Sequence, residues 1–220
     1  MIDQLIIGNK ASYDDFEANV KERKISAPKK KSIKETVPFS NVTYDFTAIN
    51  GEIYWEERTL EYVFEITANT PEELEEKKQL FVSWVMNVMN EELHDPFIRD
   101  YHFNATFDSI DPDDSEIEKS TIKVTFTAYP YMIANTKKTH SIELAEEVEK
   151  VIRNESSHRI TPTFIADVPF LLTLGGATYA LSSGETSDPK IMFAVGANTL
   201  TVKAQETPGT LKIEFYEEVF

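Results

Sequence analysis

Tyr101-His102-Phe103-Asn104-Ala105-Thr106-Phe107-Asp108, followed by Ile122-Lys123-Val124-Thr125-Phe126-Thr127-Ala128, is the stretch that decides the fold. In the first run Tyr101, Phe103, Ala105 and Phe107 alternate with polar residues. In the second, Ile122, Val124, Phe126 and Ala128 do the same. Apolar side chains at period 2 describe strands with one face buried and one wet. Asp111-Pro112-Asp113-Asp114-Ser115-Glu116 between them is rich in turn residues, so residues 100–129 read as one long hairpin. Tyr62, Phe64 and Ile66 alternate in the same way after Glu57-Arg58-Thr59, and Leu5 to Ile7 forms a short strand.

A single segment breaks the period. Thr70-Pro71-Glu72-Glu73 supplies an N-cap hydroxyl, a proline at the first helical position and a glutamate at the capping-box position. Leu74, Phe81, Val85, Val88 and Met89 recur behind it at helical spacing. The spacing predicts a helix over 71–90. After Tyr129-Pro130-Tyr131 the composition changes. Residues 135–157 are charged and polar and suit a strand pair better than a helix. Short strand-like runs follow at 161–166, 170–174, 178–181, 191–195, 200–203 and 211–216, separated by glycine, serine and asparagine turns. The expected fold class is mainly β: an α+β domain over 1–135 with one long helix and a long hairpin, then a β-sandwich over 136–220.

With 22 basic and 38 acidic side chains, the 220-residue chain carries a formal charge of −16, which disfavours polyanions and anionic lipid as main ligands. There is no cysteine, which rules out disulfides, thiolate metal sites and a cysteine nucleophile. The most apolar run, residues 80–86, is far shorter than the ~20 residues of a membrane span. The first residues lack the basic and small-residue pattern of a secretion signal, so the expectation is a protein made in a cytoplasm, without membrane insertion.

Chemistry is sparsely signalled. Hydrolase-elbow, phosphate-loop, dinucleotide and zinc-protease motifs are all missing, so no catalytic residue, cofactor or metal site is expected. His94, His102, His140 and His158 are scattered without ligand spacing, and His102 falls on the wet side of its strand. The acidic tip with Asp111, Asp113, Asp114, Glu116 and Glu118 invites a calcium reading, but Pro112 and the absence of glycine favour a solvated turn. The sharpest anomaly is basic. Residues 21–34 hold seven basic and one acidic side chain, a net of +6 that leaves −22 on the rest. A solvated loop and a basic arm docking on a neighbouring copy are both open, and the arm makes Lys29, Lys30 and Lys31 candidate interface residues. Arg58, between Glu57 and a strand, is set either to pair locally or to make a subunit contact.

Pro38-Phe39-Ser40-Asn41-Val42-Thr43-Tyr44-Asp45-Phe46 and Glu57 to Phe64, with the 71–90 helix and the 101–128 hairpin in succession, resemble the amino domain of phage distal tail proteins of Gram-positive hosts. Val195-Gly196-Ala197-Asn198-Thr199-Leu200-Thr201-Val202 and Gly209-Thr210-Leu211-Lys212-Ile213-Glu214-Phe215-Tyr216 resemble that family's second domain. The resemblance implies a galectin-like sandwich at the carboxyl end. It also implies a hexameric ring at the tail tip that joins the tail tube protein to a tail-associated lysin or fibre hub, with DNA passing through its channel. Such a protein is assembled in the host bacterial cytoplasm and resides in the virion. The alternative function is a carbohydrate-binding sandwich for host surface glycans, with Tyr179 and Phe193 as candidate aromatics.

Overall fold

The computed structural model describes residues 3–36, 38–48, 52–111, 114–115, 118–144, 147–205 and 208–220. The fold is mainly β, with antiparallel sheets and, among the described residues, one α-helix. Two compact units form, one from residues 1–132 together with Phe220, the other from 133–219.

In the first unit, strand Arg58–Thr67 alternates buried and half-buried residues along its length, and Leu60, Tyr62, Phe64 and Ile66 are fully buried. It pairs on one side with Lys119–Ala128 and on the other with Ala18–Ile25, both antiparallel. Lys119–Ala128 then pairs with Tyr101–Ile110, the predicted hairpin, followed outward by Glu91–His94 and the short strands Ile6–Ile7 and Lys10–Ala11. The hairpin register shifts between Thr125 and Phe126, which leaves Asp108 as the extra residue of a bulge. Asp113 and Glu116, part of the calcium reading, lie outside the described residues; Asp111 pairs with Lys123 at 3.1 Å.

The helix spans Pro71–Val85, five residues shorter than the spacing predicts. Its start is as expected: Thr70 Oγ1 accepts from Glu73 N (3.2 Å), and Glu73 Oε2 reaches back to Asn69 N (3.0 Å). The end differs because the last turn tightens. Asn87 N and Val88 N donate to carbonyls three residues back, Asn87 Nδ2 takes the Ser83 carbonyl (2.6 Å), and Asn90 at φ 53° turns the chain into strand Glu91–His94. Val88 still packs into the core from this turn, whereas Met89 is exposed. Phe81 carries the helix onto the sheet, 4.8 Å from the Phe64 ring and edge-on to Trp84, which stacks on Phe16 at 4.6 Å.

The second unit is a β-sandwich. One sheet runs in the order Lys138–Leu144, Gly209–Phe215, Thr163–Ala166, Gly184–Thr186; the other runs Val148–Asn154, Gly196–Ala204, Phe170–Leu174, Ala177–Leu181. Residues of both sheets, among them Phe164, Ile213, Leu172 and Val202, share one buried cluster. The polar segment 135–157 forms strands, as expected, but not a pair: Lys138–Leu144 and Val148–Asn154 lie in different sheets, each bonded to a strand distant in sequence. The strand expected at 191–195 is reduced to a bridge between Phe193 and Ile160. Side chains take over its backbone groups. Asn198 binds both Ala194 N and O at 2.8 Å, and Asn154 Nδ2 donates to Phe193 O at 3.1 Å.

Candidate functional site

The seven basic residues of 21–34 divide: three pair within the sheet, Lys34 lies 4.0 Å from Asp45 at the surface, and Lys29, Lys30 and Lys31 are left over. Lys21, Arg23 and Lys24 sit on strand Ala18–Ile25 and are consumed at home: Lys21 pairs with Glu65 and Lys24 with Glu61, each at 2.6 Å. Arg23 spans Asp3 (2.5 Å) and Asp95 (3.1 Å). Burial alone would lower the Arg23 pKa, but the hydrogen bonds and charges of Asp3 and Asp95 outweigh it and raise it. Lys123 and Lys24 together draw the Glu61 carboxyl down to about 2.

Beyond Ile25 the chain leaves the sheet. Residues 29–31 run beside 54–56, with Lys31 N donating to Tyr54 O (2.9 Å) and Glu56 N to Lys29 O (2.7 Å). Lys34–Thr36 then pairs with Thr43–Asp45. Thr47 pins the base of this ribbon, its Oγ1 accepting from Ile33 N (3.2 Å) and its N donating to Asp45 Oδ1 (2.9 Å); hydrogen bonding by the Thr47 side chain first, and by its backbone N second, holds the Asp45 carboxyl below its usual range. Among the described residues of 26–57, none belongs to the buried core of the first unit. Ile33, Phe39, Val42, Tyr44, Phe46, Ile53 and Tyr54 are instead exposed, and Phe39, fully exposed, occupies the left-handed region at φ 64°, costly for a bulky residue. Lys29, Lys30 and Lys31 make no ion pair among the described residues. Beyond Ile25 the chain thus presents exposed apolar side chains next to three cations that have no ion-pair partner among the described residues.

Of the two readings of Arg58, the local pair is not made: among the described residues no carboxylate reaches it. It is 4% exposed, its Nε has no hydrogen-bond partner, and its guanidinium lies 5.4 Å from the centre of the Phe103 ring. Burial pushes its pKa down. A nearly buried, uncompensated cation is costly in an isolated chain.

Of the other candidates, Phe193 is wholly buried in the sandwich core. Tyr179 is half-buried, its hydroxyl donating to Lys190 O at 3.4 Å. Neither lines the open cleft of about 440 Å³ on the second unit, which is bordered by Lys137, Thr161, Glu214 and Tyr216. His102 does not face water: it is 6% exposed and lies beside His94, ring centres 5.1 Å apart. The sequence carries no signal of that pairing, because strand register brings it about.

No protein-family model and no curated protein matches this chain. Among solved structures, the whole chain aligns with the whole of the SPP1 Dit (gp 19.1) protein, a paradigm of the hub adsorption apparatus in Gram-positive infecting phages, at a TM-score of 0.73 and 12% identity. The chain has the fold of SPP1 Dit. A component of the phage P2 baseplate in its activated conformation with Ca also aligns, over 97% of this chain and 98% of that one, at 10% identity and a TM-score of 0.47. The Dit fold accounts for the order of the elements in both units. The exposed ribbon and the unpaired Arg58 are features of this chain's own side chains.

Proposed function

We propose that this chain is a structural, non-enzymatic component of a phage tail tip. In this reading copies of it close into a ring, six in number, that adapts the tail tube to the lysin, fibre or receptor-binding apparatus, with DNA passing through the centre. The observation that carries the reading is the 26–57 ribbon. It offers exposed apolar side chains, and Lys29, Lys30 and Lys31 without an ion-pair partner among the described residues, on a chain that is otherwise strongly acidic. A ring closed by head-to-tail contacts requires two different, complementary patches on each subunit, and a basic, apolar ribbon meeting an acidic surface supplies such a pair. Arg58 gains a carboxylate if the neighbouring copy brings one. The net negative charge suits a conduit wall that DNA passes without adhering. The fold shared with SPP1 Dit, a hub protein, supports the same assignment, and with it residence in the virion after assembly in the host cytoplasm.

Light scattering at two salt concentrations, with negative-stain images of the peak, tests this reading. The expected result is a discrete species near six times 25.1 kDa with a central hole. It should weaken at high salt and when Lys29, Lys30 and Lys31 are changed together to Glu. A strict monomer at high concentration, also in the presence of a tail partner, overturns it. Glycan binding is the second reading, favoured by the polar cleft that Lys137, Thr161 and Tyr216 border. A glycan-array signal abolished by Tyr216→Ala would establish it.

A further inference from the structure

We propose that Glu92, His94 and His102 form a binding site for one zinc-class divalent metal ion. The inference does not depend on the assembly reading. It starts from the alternation of strand Glu91–His94. Leu93 is fully buried in the core, so Glu92 and His94, one residue to either side, share the opposite face of the sheet. Strand Tyr101–Ile110 pairs antiparallel with it, Leu93 opposite Phe103 and Glu92 opposite Asn104. The same register, extended by one residue, sets His94 opposite His102. Phe103 is buried in the core, so His102 emerges on the same face as His94 and Glu92. Two short sequence separations, Glu-x-His and then seven residues to the second His, therefore converge through the register alone.

The donor atoms are close. Glu92 Oε2 lies 3.3 Å from His94 Nε2, Glu92 Oε1 lies 3.9 Å from His102 Nε2, and one ligand atom from each residue falls within 4.8 Å of the others. Zinc bonds of about 2.0–2.2 Å in a tetrahedron set ligand atoms about 3.3–3.5 Å apart. The required closure is of the order of 1 Å, within reach of side-chain rotation. Burial is graded in the sense that such a site needs. His102 is buried in the sheet, His94 is half-exposed, and the Glu92 side chain is exposed. Two imidazoles and one carboxylate leave a fourth position open to water or to a group from another molecule. Imidazole selects zinc, copper or nickel, whereas calcium and magnesium require oxygen ligands that this group does not supply. Bound metal would clamp the two strands across the 95–100 connection.

The test uses the full chain, without a histidine tag and stripped with chelator, titrated with zinc chloride by calorimetry. The expected result is one saturable equivalent per chain that a large excess of magnesium does not displace. His94→Ala should weaken binding by about tenfold or more, as should Glu92→Gln. His102→Asn alters a buried position, so the test rests on the two more exposed residues. His140→Ala, in the other unit, should leave the affinity unchanged. In histidine-detected NMR the His94 and His102 ring signals should shift together at one equivalent. Absence of saturable binding overturns the proposal, as does displacement by magnesium or wild-type affinity in His94→Ala.

Discussion

Replacing Arg23 with Met isolates a buried carboxylate. The Asp95 side chain is wholly inaccessible and receives three hydrogen bonds: from Arg23 Nε (3.1 Å), from the Tyr62 hydroxyl (3.2 Å) and from Phe97 N (3.0 Å). Among the described residues only Arg23 brings positive charge to it, reinforced by its second contact to Asp3 and by the Phe97 ring 4.0 Å from the guanidinium. Methionine keeps much of the packing volume and removes the charge. Breaking a buried pair from one side costs about 3–5 kcal/mol, and Arg23 is itself one-fifth exposed, so the lower bound of about 3 kcal/mol applies. At roughly 2.1 cal/mol/K per residue, a unit the size of residues 1–132 has an unfolding entropy of roughly 0.28 kcal/mol/K, which converts that loss to a fall of about 11 °C. Differential scanning calorimetry of the full chain should show it in the transition of the first unit alone. The double variant Arg23→Met/Asp95→Asn is the sharper measurement. Neutralising the stranded acid should recover at least about 1 kcal/mol relative to Arg23→Met. A loss under about 1 kcal/mol for Arg23→Met, or a double variant as damaged as the sum of the singles, would refute the reasoning.

Three further outcomes are expected. The Glu61 carboxyl, held at about 2 instead of 4.5 by Lys123 and Lys24, stabilises the fold fully above pH 4.5. Its contribution disappears as pH falls from 4.5 through 2, so thermal midpoints measured across that window should drop less steeply in Glu61→Gln. Gly209→Ala would put a methyl 2.2 Å from Val168 Cγ2, so urea unfolding should report a loss of about 1–3 kcal/mol, partly restored by a second change, Val168→Ala. Arg58→Met should raise the stability of the isolated chain by about 1 kcal/mol, because a nearly buried, unpaired cation gives way to an apolar side chain, while weakening any self-assembled species seen by light scattering.

Much of this fold is legible in the sequence where one face of an element is buried and the other wet. The alternation at 58–67 and 119–128 maps directly onto buried and half-buried positions, and the Thr70 cap marks its helix start by chemistry local to four residues. What escapes reading depends on partners distant in sequence. Met89 keeps helical spacing yet lies past the true end, because Asn87 and Asn90 redirect the backbone. The run 191–195 looks like a strand, but Asn154 and Asn198 satisfy its polar groups in place of a neighbour. His102 reads as solvated because alternation tells which face a residue takes, not what else occupies that face. The basic stretch shows the same limit. Seven cations appear alike in sequence, and only strand pairing separates the three matched to Glu61, Glu65 and Asp95, and Lys34 opposite Asp45, from Lys29, Lys30 and Lys31.

The pairing order also bears on how quickly the chain reaches this state. In the second unit Lys138–Leu144 finds its partner in Gly209–Phe215, some seventy residues on, and Val148–Asn154 pairs with Gly196–Ala204. In the first, the central strand 58–67 waits for 119–128. Each such closure spends chain entropy before it is rewarded by contacts, so both units belong with the slow, non-local folders, on a scale of milliseconds to seconds. During synthesis one sheet of the sandwich has all its strands once Ala204 is available, but the facing sheet lacks Gly209–Phe215, the strand that joins Lys138–Leu144 to Thr163–Ala166, until later. Until then its apolar strand faces are exposed to other nascent copies, and crowding among ribosomes making this chain becomes a hazard that its abundant negative charge helps to offset.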